Sequence, residues 1–253
     1  MQTKDSLALL FIGAQQVEWI PDPHKDPCGH LISSYGGNSA QEMASAAKDL
    51  VEQAGGKPRK CVLLLGGGLV KQRIVAVPHV SDKEIKGILH RKAANILDVE
   101  LHQTAFTATP VVQAEGSKEE RWLISAVRLD ELRSLTRHLR ESGFAVRRIV
   151  YTRLALLAAG ESCLSLETED QGGIVIGVED NSVAISLVAA GGLVQQTVVP
   201  GAFQMNSTMA ASVLQELRGF ESHWRRHSRG GNVAQVVVAG LAHEEASQFE
   251  LAC

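Results

Sequence analysis

A run of three glycines at 66–68 is the first stretch of this sequence whose residue types and spacing could support chemistry. Glycines in a turn allow backbone amides to approach a phosphate group closely. A P-loop also ends in Gly-Lys-Ser/Thr, whereas Leu69 and Val70 follow here before Lys71. The run therefore predicts a permissive hairpin turn, which would join a strand over 61–65 to a strand over 69–78.

Side chains that catalyse hydrolysis or bind metals are present, but they are not grouped. The histidines show no His-Glu-x-x-His spacing, and no nucleophile-elbow motif marks a catalytic serine. The cysteines, at positions 28, 61, 163 and 253, lack the paired spacing of zinc sites or disulfide frameworks. We expect surface histidines, reduced thiols and no metal site.

The densest charge cluster is the basic stretch 223–229, which reads His-Trp-Arg-Arg-His-Ser-Arg. A helix is predicted to end within this stretch, and cations are favoured at the C-terminal end of a helix dipole. That interpretation is preferred. The alternative is contact with anionic lipid or nucleic acid, with Trp224 as an anchor.

Composition excludes several classes of function. The net charge of -3 and a pI near 6.3 argue against a protein built to bind nucleic acid. No apolar run reaches the roughly 18 residues that span a membrane, and the first residues lack a signal-peptide pattern. We therefore expect no nucleic-acid partner and only indirect association with a membrane.

Predicted strands alternate with predicted helices along the chain, which indicates a mixed α/β fold. Strand-turn-strand patterns open near residues 7 and 174, and they could mark two related halves. Helices are predicted over 39–54 and from Ser81 onward, each with a Ser-x-x-Glu capping box. Further helices are predicted over 130–142, 154–159 and 210–227, and further strands over 173–178, 182–189, 193–199 and 233–238.

Two segments carry a resemblance to a known family. One is Val62–Pro78 with the helix-like 82–97; the other is 121–128, the helical 130–142 and 143–150. Together they resemble the subdomain inserted into FtsA and PilM, which are actin-like proteins of cell division and type IV pilus assembly. The cytoplasmic part of type II secretion protein L is a looser relative. The resemblance implies an actin-like, ribonuclease H-like fold with two lobes.

The same resemblance implies where ATP would bind: at hairpin turns from the two halves and at a later glycine turn. The candidate nucleotide-binding residues in these degenerate turns are Gly13, Gln15, Asp180 and Gly240. Family members carry aspartate and lysine where this chain has Phe11 and Glu18. Because these turns are degenerate, we expect no catalytic residue and no cofactor, with ATP and magnesium as the disfavoured alternative.

Glu179 also argues against ATP binding. It stands where the resemblance implies a glycine of the second phosphate turn, and Gly177 stands where an aspartate is implied. A carboxylate at this position would repel phosphate unless a metal ion intervened. Asp180 could bind such a metal if the register slipped.

The resemblance also implies a division of the chain. Residues 1–57 with 151–170 would form the first lobe, 58–150 the inserted subdomain, and 171–253 the second lobe. PilM-like chains continue for another strand and helix beyond the position of Gly240. We therefore expect either a piece of a longer protein or a reduced second half.

The function implied is that of a non-enzymatic cytoplasmic scaffold in a type IV pilus or type II secretion complex at the inner membrane. Relatives hold a cytoplasmic peptide of a membrane partner beside the inserted subdomain, and self-association remains open. Strands and an amphipathic helix suit such a groove. The candidate contacts, for which internal packing is the alternative, are Arg73, Val75, Val77, Ile85, Ile88 and Leu89.

The alternative function is an actin-like ATPase of the cell-division or sugar-kinase type, with unusual but working phosphate turns. Hydrolysis requires a positioned water, magnesium and a carboxylate. Only Glu179 and Asp180 are placed to supply the carboxylate.

Overall fold

The computed structural model describes residues 7–23, 31–37, 39–113, 119–179, 182–200, 207–228 and 230–240. The strands are β1 (Ala8–Ile12), β2 (Gln16–Ile20), β3 (Leu31–Ser34), β4 (Lys60–Leu65), β5 (Lys71–Pro78), β6 (Thr104–Val111), β7 (Glu119–Arg128), β8 (Ala145–Tyr151), β9 (Gln171–Glu179), β10 (Ser182–Ala189), β11 (Gly192–Pro200) and β12 (Asn232–Ala239). The helices are α1 (Ala40–Gln53), α2 (Asp82–Leu97), α3 (Leu129–Glu141), α4 (Thr152–Cys163) and α5 (Ser207–His227).

Two sheets of the described residues repeat one topology. The first has the order β3-β2-β1-β4-β8, with β2 antiparallel to β1 and β4 parallel to it. The second has the order β11-β10-β9-β12, again with one antiparallel and one parallel neighbour beside its first strand. The strand-turn-strand openings predicted near residues 7 and 174 are confirmed, and each one leads a sheet.

Side-chain periodicity explains how each sheet is covered. In the first sheet Leu10, Ile12 and Leu63 share one face and lie in a core completed by α1 and α3. Trp19 and Phe144 close that core with an edge-to-face contact, ring centroids 5.7 Å apart. In the second sheet α5 covers one face and α4 packs on the other, since Leu157 joins a core with Val175.

A third sheet, of order β5-β7-β6, lies between α2 and the second sheet. One face packs against α2. The other contributes Ile74, Val111 and Leu123 to a core shared with Leu157 and Val188. The three-stranded sheet therefore has packing on both faces and joins α2 to the second sheet.

The predicted hairpin across the glycine run is wrong. β4 pairs with β1 and β8 in the first sheet, whereas β5 pairs with β7 in the third. The apolar run of β4 suits a central parallel strand, because such strands are buried on both faces. The glycine turn at 66–68 therefore carries the chain from one sheet to another.

Local signals set the helix ends. Glu42 accepts hydrogen bonds from the backbone and hydroxyl of Ser39, and these bonds hold the pKa of its carboxyl below the usual range. Glu84 accepts the equivalent bonds from Ser81. α3 ends before Gly143, whose φ of 93° favours glycine. α4 runs longer than predicted, over Thr152–Cys163.

The division into 1–57 with 151–170, 58–150 and 171–253 stays a prediction. Within the span 58–150, β4, α3 and β8 join the layer of the first sheet. The span 71–128 holds the third sheet and α2. α4 packs on β9 of the second sheet, where Leu156 covers Gly177. No helix in the described part of the chain is long and apolar enough to cross a bilayer.

Candidate functional site

The first hairpin turn, which the resemblance assigns to phosphate binding, is closed by its own hydrogen bonds. The amide of Gly13 donates to the carbonyl oxygen of Gln16 at 2.8 Å. The hydroxyl of Tyr35 donates to the carbonyl oxygen of Gly13 at 2.6 Å, and the amide of Tyr35 donates to Gln15. A phosphate-binding turn needs free amides that converge on the anion. The amide of the buried Gly13 is already used, and only Gln15 is exposed.

The glycine turn at 66–68 packs against this first hairpin. A Cβ atom added at Gly66 would lie 2.8 Å from the Cα of Gly13, and one at Gly68 would lie 2.7 Å from the Cβ of Ala14. The close approach of the two backbones therefore requires glycine. The glycine run therefore has a structural role, as a turn that packs against the first hairpin.

The end of β9 brings Glu179 against Arg153, the second residue of α4. The guanidinium Nε donates to Glu179 Oε2 at 2.8 Å, and its Nη2 donates to Ser182 Oγ at 2.8 Å. Ser182 in turn donates to Glu179 Oε2 at 3.2 Å. The side chains of Arg153 and Glu179 are only 11% and 1% exposed. The carboxylate expected to repel phosphate is thus paired with an internal cation.

The hydrogen bonds continue from Arg153 into the third sheet. Its Nη1 lies 3.5 Å from Gln72 Oε1, and Gln72 Nε2 donates to Ser125 Oγ at 2.6 Å. Ser125 is fully buried in β7. We call Arg153, Glu179, Ser182, Gln72 and Ser125 the intersheet network. It joins α4 and the β9–β10 opening to β5 and β7.

Gly67 completes the contact between the glycine turn and the intersheet network. A Cβ atom at Gly67 would lie 2.5 Å from Glu179 Oε2, and it would also collide with the guanidinium of Arg153. The turn at 66–68 therefore touches the first hairpin through its outer glycines and the network through its middle one. Sequence reasoning missed Arg153, because nothing local links it to a carboxylate 26 positions away.

The remaining predicted nucleotide residues are Asp180 and Gly240. Asp180 lies outside the described residues. Gly240 is exposed after β12 with a φ of 91°, and an added Cβ would collide with the carbonyl oxygen of Val178. Within the described ranges, no group of three or more histidine, cysteine, aspartate and glutamate side chains could hold a metal ion. The role of these residues in nucleotide binding stays a prediction.

Most of the predicted partner contacts lie inside the molecule, where the alternative of internal packing places them, and their role in partner binding stays a prediction. Val77, Ile85 and Leu89 are at most 8% exposed, in the core between α2 and the third sheet. Val75 and Ile88 are half-buried against the same core. The helical stripe that suggested a binding face is satisfied by the sheet beneath it. Arg73 is exposed on β5, an edge strand of the third sheet.

An apolar pocket that the sequence did not suggest opens between α1 and α3. Its volume is about 190 Å³. Leu65 and Leu69, which flank the glycine turn, form one wall, and Glu131 and Ser134 supply the polar part of the lining. The lining residues are Ala40, Met43, Leu65, Leu69, Val127, Glu131, Leu132, Ser134 and Leu135.

The described part of the basic stretch, residues 223–228, lies at the end of α5, as the preferred interpretation required. Trp224 is 2% exposed, and its Nε1 donates to the carbonyl oxygen of Asp170 at 2.9 Å. Its use as a membrane anchor is therefore wrong, because its ring belongs to the core of the second sheet. Arg225 pairs with Glu221 at 2.6 Å along the same helix. Arg229 lies outside the described residues.

Comparison with known proteins shows which solved structures have a similar fold. The sequence matches no family model and no curated protein. The solved PilM–PilN type IV pilus biogenesis complex matches over 98% of this chain and 87% of the compared chain, with a TM-score of 0.62 at 16% identity. The cytoplasmic domain of EpsL, an inner-membrane component of the Vibrio cholerae type II secretion system, covers 98% of this chain and 95% of its own, with a TM-score of 0.48 at 15% identity.

A third match is a Bacteroides thetaiotaomicron protein with an actin-like ATPase fold, with a TM-score of 0.49 at 9% identity. It covers 100% of this chain and 97% of its own. The chain has a mixed α/β, actin-like fold of the PilM type, which the match to the PilM–PilN complex and the repeated strand order define. The predicted resemblance and fold class are confirmed.

Proposed function

We propose that this chain is a non-enzymatic scaffold of a type IV pilus or type II secretion assembly at the inner membrane, and that it binds a peptide of a membrane partner. The observation that carries the proposal is the apolar pocket between α1 and α3. Two helices and the flanks of the glycine turn supply its walls. A groove between an amphipathic helix and its neighbours suits capture of a short peptide.

The size of the pocket favours one apolar side chain over a cofactor. Pockets for drug-sized ligands and cofactors have volumes of roughly 300–1,000 Å³. About 190 Å³ is too small for a nucleotide, but it accepts a large aliphatic or aromatic side chain. Glu131 belongs to the lining, where it faces Arg128 at 3.4 Å, so the pocket also offers a carboxylate. We therefore assign as ligand a peptide with a large apolar anchor and a nearby cation.

The fold gives this assignment its context. The compared PilM–PilN structure is a complex of a protein with this fold. By analogy, the partner of this chain would be an inner-membrane pilus or secretion protein with a cytoplasmic segment. Localisation at the cytoplasmic face of the inner membrane would then follow from that partner. Arg73, on the edge of the third sheet, offers a second contact for an extended peptide, beside the half-buried Val75 and Ile88.

The absence of catalysis is part of the proposal. The amide of Gly13 is used within its own turn, and the carboxylate of Glu179 lies next to the position implied for phosphate. Neither arrangement stabilises a phosphoryl-transfer transition state, which requires converging donors and a metal ion.

A variant that fills the pocket tests the proposal. Ser134→Phe places a ring in the pocket without removing an apolar core contact, and Arg133→Phe places the same ring on the exposed side of α3. The readout is co-purification of pilus or secretion membrane components with the full chain, followed by titration of the captured segment as a peptide. Ser134→Phe should lower the affinity for the peptide by about tenfold or more, whereas Arg133→Phe should bind the peptide like the wild type.

Equal peptide binding by both variants would show that the peptide binds outside this pocket. No captured pilus or secretion component, together with normal piliation and secretion after deletion, would overturn the function itself. Melting curves confirm that both variants are folded before binding is compared.

A further inference from the structure

We propose that the Arg153–Glu179 pair fixes the second sheet, α4 and the third sheet in one arrangement, and that it does so in place of a bound ligand. The pair joins the first turn of α4 to the last residue of β9 at 2.8 Å. The proposal does not depend on peptide capture, because neither Arg153 nor Glu179 belongs to the lining of the pocket.

Burial of the pair indicates a geometric role. Removing two charges from water carries a desolvation cost that their attraction often does not exceed, so a buried ion pair is weak evidence for stability alone. Such pairs are better attested as devices that select one arrangement among several. Here the guanidinium makes directed bonds to Glu179 and Ser182 and reaches Gln72 at 3.5 Å. Planar guanidinium geometry therefore sets the relative position of three elements.

The third sheet is attached at the same place by apolar contacts. Ile74 and Leu123 of that sheet share a core with Leu157 of α4 and Val175 of β9. The amide of Val112 donates to the carbonyl oxygen of Leu193 at 2.6 Å, which adds a backbone bond between the third and second sheets. The intersheet network is the side-chain polar part of this junction, and with the backbone bond it supplies the directional contacts that apolar packing lacks.

The position of the pair explains why a ligand is not needed. Gly67 lies so close to the pair that even a methyl group would collide with both charged side chains. A phosphate beside Glu179 would need space that the turn at 66–68 fills. The first hairpin contacts the outer glycines of that turn, so all three sheets meet around it. The chain thus supplies both the cation and the anion at this position.

Hydrogen exchange of the full chain, followed by mass spectrometry, tests the inference with Glu179→Gln. This substitution keeps the shape of the side chain and removes its charge. Exchange should become about tenfold faster in residues 66–72 and 152–156, because Arg153 loses its charged partner and the segment 66–72 packs against the pair through Gly67 and Gln72. The control is Glu221→Gln, which breaks the exposed Arg225–Glu221 pair and should leave both segments unchanged.

Faster exchange confined to β9 and β10, or no greater than in the control, would overturn the proposal. Millimolar Mg-ATP should leave exchange of the wild-type chain unchanged, and protection of residues 66–72 by the nucleotide would contradict a ligand-free arrangement. Peptide capture measured on Glu179→Gln separates this result from a failure of the proposed function.

Gly67→Ala provides a second variant that retains both charges. Its methyl group should displace the pair and increase exchange in the same two segments. Global unfolding by both Glu179→Gln and Gly67→Ala would count against the proposal, because the inference requires local opening between sheets.

Discussion

The amide of Gly66 donates a 2.8 Å hydrogen bond to the carbonyl oxygen of Ile12. This bond extends the parallel pairing of β1 and β4, whose last paired residues are Ile12 and Leu65. It also sets the backbone of the glycine turn against the first hairpin. The glycine turn is therefore a tight backbone junction between sheets.

The first prediction concerns that junction. Gly66→Ala places a Cβ 2.8 Å from the Cα of Gly13, where backbone must move, so overpacking should lower the free energy of unfolding by about 1–3 kcal/mol. The control is Gly87→Ala on the exposed side of α2, with no atom within 4 Å of the new methyl group. The free energy of unfolding of this variant should rise by about 0.5–1 kcal/mol, because alanine has a higher helix propensity than glycine. Urea unfolding measures both, and equal effects would contradict the close approach.

The second prediction concerns nucleotide. Calorimetric titration with Mg-ATP should give no binding heat, because the amide of Gly13 is used internally and the cation beside Glu179, Arg153, is already paired with that carboxylate. Micromolar binding would support the ATPase alternative. Turnover that Asp180→Ala abolished would then establish it.

The third prediction concerns thiol reactivity. Burial raises the pKa of the Cys61 thiol to about 11, whereas Cys163 is exposed. Only the thiolate reacts, so a shift from 9.0 to about 11 lowers its fraction roughly a hundredfold at neutral pH. Time-resolved alkylation with mass spectrometry should label Cys163 rapidly and Cys61 only on unfolding. Equal labelling of the two in the native chain would contradict the placement of β4.

The fourth prediction concerns pH. Burial, with the nearby charges of His227, Arg226 and Arg121, holds the pKa of His223 below its ordinary value. Below neutral pH the unfolded chain therefore binds more protons at this histidine than the folded chain does. The contribution of His223 to the free energy of unfolding is complete above the unfolded-state pKa near 6.5. It is lost as the pH falls from there through the lower folded-state pKa. The Tm should fall as the pH decreases through that range, and His223→Gln should reduce the slope of Tm against pH.

His102→Gln is the control for that measurement, since it removes an exposed imidazole far from α5 along the chain. It should keep the wild-type dependence of Tm on pH. A slope unchanged by His223→Gln would show that other groups are responsible.

Local patterns predicted the elements well, because short-range physics determines them. The Ser39–Glu42 capping box marks the start of α1, and Gly143 follows the end of α3, as predicted. Val77, Ile85 and Leu89 show the limit of such patterns. An apolar stripe indicates that one face of a helix is buried. It does not indicate whether that face packs against a partner or against the same chain.

The sequence by itself determined the alternation of strands and helices, the repeated hairpin openings, the degenerate phosphate turns and the resemblance to actin-like assembly proteins. Those features depend on residue type and on neighbours within a few positions. Only the tertiary structure decided that the glycine turn connects two sheets, that Glu179 is paired with Arg153, and that α1 and α3 enclose a pocket. Each of these requires side chains distant in sequence to meet, and the strand pairing and core packing of the whole chain determine which ones do.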